Sequence, residues 1–340
     1  MYLSYIFILL QFLLLYLSFQ NYKNDEYIKK ITSYVIIFFL TVVSGFRYNV
    51  GRDFLSYEEM FINPKSAGNY FIEPIWQIFS HLLRSMGFSS TVWFLCTSFV
   101  INFCFIIGIR RLSKNFYISV AFYLAMPQLF LESFNIVRQF VAMAIIFRFS
   151  DLFFKKKYWK FFIVVLIASC FHKSAVLIIP IFFVSLINFS NLFLIGIIFS
   201  CFILRNSFLP LVLRIVSSIS IYSGYLNGIS PSESNTSLYA FILLFVCFFI
   251  VFCFRKHNSR EINILKNLSL MSFCIYLLFY TFQAGQRIGF YVLPYFVLLV
   301  PYIIPKYKIN GNFIIIGGIL SLFLLFTLKS GFSQIYTFRF

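Results

Sequence analysis

Apolar residues arrive in long runs, and these runs organise the chain. They lie near 3–19, 31–46, 90–109, 115–131, 134–153, 159–171, 173–188, 191–207, 238–254, 265–281, 288–305 and 311–328, with polar connections between them. At about 1.5 Å of rise per residue, a helical run of this kind covers a hydrocarbon core roughly 30 Å thick. The strict alternation of a barrel strand is absent, and a chain in lipid must satisfy its own backbone hydrogen bonds, so the runs predict helices. The expected fold is an all-α polytopic membrane protein of about twelve transmembrane helices, one integral membrane domain over residues 1–340. The first run has no basic residue ahead of it and no small-residue cleavage site behind it, which predicts a retained helix and not a signal peptide. Across 159–188, two short spans separated at Phe171-His172 compete with one long helix.

Two connections are long, 47–89 and 208–237. Within the first, Ile75, Ile78, Phe79, Leu82, Leu83 and Met86 recur at helical spacing behind Pro74, a residue suited to a first helical turn. The segment 73–86 is too short to span and predicts an amphipathic helix lying at the membrane interface. The second connection is rich in Ser, Gly and Asn and predicts irregular chain.

Composition agrees with the pattern: 61% of residues are hydrophobic, 22% aromatic and 11% charged, and the mean hydropathy is +0.90. A net charge of +18 in a soluble protein would suggest nucleic acid. Here the basic residues cluster in alternate short connections, around Lys29, Arg110, Lys155, Arg255 and Lys306, as expected of cytoplasmic loops. That reading needs no nucleic-acid partner and puts both termini and both long connections on the opposite, external side. The seven cysteines make no CxxC or Cys/His pattern and predict small buried hydrophobes.

Against this background Gly45–Glu59, GFRYNVGRDFLSYEE, is a dense patch of charge. The topology makes Asp53, Glu58, Glu59, Glu73, Glu132 and Glu233 external, together with Arg47, Arg52, Arg138 and Arg287. Arginines held outside against the positive-inside tendency suit a phosphate or diphosphate, whose oxygens the guanidinium fork matches; the alternative is that they pair structurally with the nearby carboxylates. His172 is either a satisfied polar residue or a general base, with an ordinary pKa of about 6.5. Arg287 with Tyr291 and Tyr295 suits interfacial packing or stacking on sugar rings. There is no GxxxxGK[ST], HExxH or GxSxG motif and no acidic cytoplasmic cluster, so no cofactor and no metal site is expected.

At these residues the chain resembles the EpsG / Wzy group of bacterial polysaccharide polymerases. The likeness runs in order through FRYNVGRDFLSYEEMF (Arg47, Tyr48, Gly51, Asp53, Tyr57), Glu73-Pro74, NIVRQ with Arg138, FHKSA with His172 after a lysine-rich turn, and QRIGFY with Arg287 and Tyr291. The resemblance implies transfer of a growing glycan from undecaprenyl diphosphate to a new lipid-linked repeat unit at the periplasmic face of the inner membrane. A chain-length regulator and a flippase are implied as pathway partners. It assigns Arg47, Arg52, Arg138 and Arg287 to diphosphates, His172 or Asp53 to the base, and Glu73 to orienting sugar or an arginine. Tyr57, Glu58, Gln139 and Tyr291 would contact sugar. An O-antigen ligase or a transporter of lipid-linked glycans shares parts of this logic and stays open.

Overall fold

A computed structural model describes residues 25–63, 73–126, 128–217, 236–255, 259–279 and 283–303, and all regular structure within them is helical. The runs at 3–19 and 311–328 lie outside the described residues, as does most of the second long connection. The chain divides into two compact units, Met1–Val176 with Val300–Phe340, and Leu177–Leu299.

The first unit begins with α1, Glu26–Gly45, whose N-terminus is capped by Asp25 accepting from the amides of Tyr27 and Ile28. Such a cap satisfies donors that the first helical turn leaves open. Two short helices follow, α2 (Phe54–Ile62) and α3 (Pro74–Ser85). Next comes the long α4, Ser90–Leu112, which packs against α1 on one side and α6, Val137–Arg148, on another. Between them in sequence is α5, Phe116–Ala125, buried at every residue. Phe105 of α4 sits within an aromatic cluster of Tyr123, Phe140 and Phe147, which knits α4, α5 and α6 together. A single turn, α7 (Asp151–Phe154), leads to α8, Tyr158–Phe171, which packs along α6.

The second unit is built around α12, Arg260–Leu278, which touches α9 (Ile178–Val184), α10 (Asn191–Ser217), α11 (Thr236–Cys253) and α13 (Gln283–Phe290). Ser272 donates to the Gly289 carbonyl at 2.9 Å, and Phe273 meets Phe296 of α14, Pro294–Ile303, edge-on. By contrast, α10 leaves Leu192, Phe193, Phe199 and Ile203 exposed. An apolar surface of that extent is what a lipid-facing helix presents.

Among the described residues four helices are long and apolar enough to cross a membrane: Glu26–Gly45, Ser90–Leu112, Asn191–Phe208 and Arg260–Leu278. Shorter apolar helices fill other runs, and the chain is a multi-pass membrane protein. Several runs are broken. The one at 134–153 stops at Arg148 and restarts at Asp151, and the one at 288–305 is divided between α13 and α14. At 159–188 the helix does end where two segments were expected, with His172 in extended backbone after α8 and a 3-10 turn from Lys173 to Leu177. On the other side, α10 runs to Ser217, well into the stretch read as irregular from residue 208.

The short helix of the first long connection forms where its sequence predicts, but its faces are sorted differently. Trp76, Ser80 and Leu83 are its buried residues, while Ile78, Leu82 and Met86 of the predicted apolar stripe are exposed. Trp76 and Leu83 carry protein contacts, leaving a separate apolar face toward the surroundings. Gly87, at φ +78°, closes the helix, with the Phe88 amide returning to the Leu83 carbonyl at 3.0 Å. Cysteine burial is also incomplete: Cys170 is exposed and Cys96 half-buried, the other five being buried.

Candidate active site

Three segments of the first unit converge on one carboxylate. Glu73 occupies the N-cap position of α3 but makes no capping bond. Its side chain instead accepts from Arg138 Nη1 through Oε2 at 2.6 Å, and from the Lys173 amide through Oε1 at 3.3 Å. His172 Nδ1 lies 3.2 Å from the same Oε1. That nitrogen is buried and has no well-aligned hydrogen bond, so this carboxylate is the charge it faces. The Glu73 side chain is only 4% exposed, while Arg138 and His172 are 24% and 26% exposed. The acid is thus enclosed, and each of its two partners keeps an accessible part.

Electrostatics follow from that arrangement. Burial pushes the Glu73 carboxyl up, but the close approach of the His172 imidazole and the charge of Arg138 outweigh it and hold the group down at about 2. A carboxylate fixed against Nδ1 sets the imidazole orientation and leaves Nε2 as the atom able to take up a proton. The anchor beneath it is Trp76, whose Nε1 donates to the Phe171 carbonyl at 2.8 Å and so ties α3 to the end of α8, one residue before His172.

A second ionic contact lies on the same stretch of chain as Arg138. Arg52 Nη2 reaches Glu132 Oε1 at 3.3 Å, and the Arg52 amide donates to Asn135 Oδ1 at 2.7 Å. Asn135 Nδ2 in turn donates to Glu132 Oε2 at 3.2 Å. Gly51 permits this docking. Its φ of +98° suits glycine, and a Cβ there would lie 3.0 Å from Asn135 Oδ1 and 3.1 Å from the Phe134 carbonyl oxygen. The loop from Arg47 to Asp53 is therefore braced on the segment 132–135, which leads directly into α6.

The arginines expected at a diphosphate are not equivalent. Arg52 is exposed and Arg138 partly so, but Arg47 is 4% exposed. Its guanidinium lies 4.5 Å from the Phe94 ring centroid and 5.1 Å from that of Phe134, and Nη1 donates to the Ser44 carbonyl at 2.5 Å. Burial lowers its pKa well below the usual arginine range without making it neutral at pH 7. Enclosed in this way, Arg47 braces the end of α1 and presents little accessible surface.

The expected sugar contacts divide similarly. Tyr57 is buried and stacks on Trp93 at 5.6 Å, and Gln139 is buried beside Arg138, so both belong to the packed interior. Glu58 is half-buried and accepts from Ser90 Oγ at 3.2 Å, linking α2 to the start of α4. Asp53 is half-buried at the start of α2 and makes no capping bond. Arg287 is exposed on α13, and Tyr291 is buried just beyond it; both belong to the second unit. Asn135 and Trp76 escape a reading by charge because they are neutral. The signals for them are the asparagine that opens NIVRQ and a lone tryptophan in an amphipathic turn.

Among the described residues no group of three or more His, Cys, Asp or Glu is placed to hold a metal ion. The arrangement instead offers an oriented imidazole and two accessible guanidinium groups, a set suited to proton transfer beside an anionic group. No curated protein and no solved structure matches the chain. The family model for the EpsG family matches residues 30–340, nearly the whole length. Taken with the membrane helices and the clustered polar residues, that match shows that the chain belongs to the EpsG family of Wzy-type polysaccharide polymerases.

Proposed function

We propose that the protein lengthens a glycan carried on undecaprenyl diphosphate, working at the periplasmic face of the inner membrane and drawing repeat units delivered by a flippase. The observation that carries the proposal is the sharing of Glu73 between Arg138 and His172. One carboxylate thereby positions both a base and a cation. In the transfer, an acceptor hydroxyl oxygen bonds to the anomeric carbon of the growing chain. The bond from that carbon to the diphosphate breaks, and undecaprenyl diphosphate leaves with the electron pair. The acceptor proton goes to His172 Nε2. Arg138 and Arg52 stabilise charge developing on the departing diphosphate. Asp53 and Glu58 stand near Arg52 in sequence as candidate contacts for sugar hydroxyls, and Arg287 is a further candidate for a second diphosphate.

A deletion strain complemented with wild type, Arg138→Ala, Arg287→Ala or His172→Ala tests this reading by display of the surface glycan on a gel. Loss of polymerase leaves single capped repeats, whereas loss of a ligase removes even these. A full ladder of chain lengths from all three variants at wild-type abundance would refute the assignment.

A further inference from the structure

The second unit holds a cavity of about 620 Å³ where the start of α10, the end of α11 and the first two turns of α12 meet the chain after α9. Arg255, Arg260 and Lys266 line it, together with Asn191, Asn263 and Asn267, and among the described residues no carboxylate does. Lys266 is only 4% exposed, and among the described residues its ammonium meets neither a carboxylate nor a hydrogen-bond acceptor. The ammonium is accessible where Lys266 lines the cavity, and one largely withdrawn from bulk water favours a counter-charge. Asn267 is 2% exposed. Its Nδ2 donates to the Ser185 and Ile187 carbonyls, at 3.0 and 2.9 Å, while its buried Oδ1 has no donor. Among the described residues the cavity therefore has no negative charge to face its cations, and Asn267 Oδ1 has no donor. The positive ends of α10 and α12 add to the demand for an anion.

We infer that this cavity binds a phosphate ester bearing a free hydroxyl, the phosphate at Lys266, Arg255 and Arg260 and the hydroxyl donating to Asn267 Oδ1. Two sources carry that chemistry: the headgroup of a glycerol-bearing anionic phospholipid, and a soluble polyol phosphate. The site is separate from the Glu73 cluster in residues and unit, so its occupancy does not depend on the polymerase reading.

The test uses the full-length protein in neutral detergent at constant ionic strength. Unfolding midpoints are measured with phosphatidylglycerol, with glycerol 1-phosphate, and with phosphatidylcholine as the zwitterionic control that has no free hydroxyl. The expected result is a saturable rise of several degrees with one of the two phosphate esters and none with phosphatidylcholine. Which ester acts identifies the source. Lys266→Met should abolish the shift, and Arg255→Gln, a change at an exposed side chain, should weaken it at least tenfold in half-saturating concentration should the first variant fold poorly. Equal shifts in wild type and in both variants, or no shift with either ester, overturn the proposal.

Discussion

Arg138 donates to Glu73 at 2.6 Å across 65 positions of sequence, joining the first turn of α6 to the head of α3. Because Glu73 is enclosed and also faces His172, the pair does more than fasten two helices. It determines where an imidazole stands.

Loss of Glu73 strips Arg138 and His172 of their common partner; breaking a buried pair costs up to roughly 3–5 kcal/mol, and less here because Arg138 keeps an accessible part. Glu73→Ala should therefore lower the unfolding midpoint of the purified protein substantially. Arg138→Ala should cost less, since its partner retains the Lys173 amide and His172. A double-mutant cycle of Glu73→Gln and Arg138→Gln should give a coupling of about 1–3 kcal/mol. A coupling near zero would mean that the contact holds nothing together.

Acid should weaken the same cluster. The carboxyl of Glu73 is held at about 2 in the fold, below its ordinary value of 4.5, so the folded state binds its proton less readily than the unfolded one. Its contribution is complete above the ordinary value and is lost progressively as pH falls from there toward about 2. The loss is at most about 3 kcal/mol. Unfolding midpoints measured between these limits should fall in wild type, and the Glu73→Gln variant should show a shallower slope.

Arg47 and Arg52 should separate cleanly by readout. Arg47→Ala removes two ring contacts and carbonyl hydrogen bonds from the interior, which predicts a loss of about 2–4 kcal/mol and low abundance. The Arg52 side chain is 60% exposed and its pair with Glu132 is worth about 1 kcal/mol at most. Arg52→Ala should thus accumulate normally yet yield shorter glycan chains. Gel display beside an immunoblot of membrane fractions distinguishes the two.

At Gly51 the prediction concerns backbone. Gly51→Ala forces a side chain into the left-handed region, at roughly 1–2 kcal/mol, and presses its Cβ toward Asn135. The Arg47–Asp53 loop should lose its seat, shortening the glycan. Asn135→Ala should produce the same phenotype by removing the acceptor of the Arg52 amide.

Much of the helical layout is legible in the sequence. The run at 90–109 becomes Ser90–Leu112, Pro74 opens a helix, and the polar pair after Phe171 ends one. The breaks at 149–150 and 291–293 are not, because an apolar run records burial and says little about helical continuity. Nor does the sequence separate Arg47 from Arg52, which stand in the same charged patch. A left-handed turn at Asn49 and Gly51 carries the backbone between them, and one guanidinium ends between phenyl rings while the other ends at the surface. Tyr57, Gln139 and Tyr291 had the right chemistry for a sugar, and their burial is a matter of helix rotation that residue type does not reveal. The meeting of Glu73 with Arg138 and His172 depends on the docking of α3 on α8 and on the reach of the Arg138 side chain from α6, beyond local pattern.

The most direct test of the account is the rate of a single transfer by full-length protein in vesicles supplied with lipid-linked repeat units. His172→Ala, folded and inserted as wild type is, should slow that step by about 10²–10⁴-fold, the usual worth of a positioned general base. A rate within about threefold of wild type would contradict the role given to His172 and to the carboxylate that orients it.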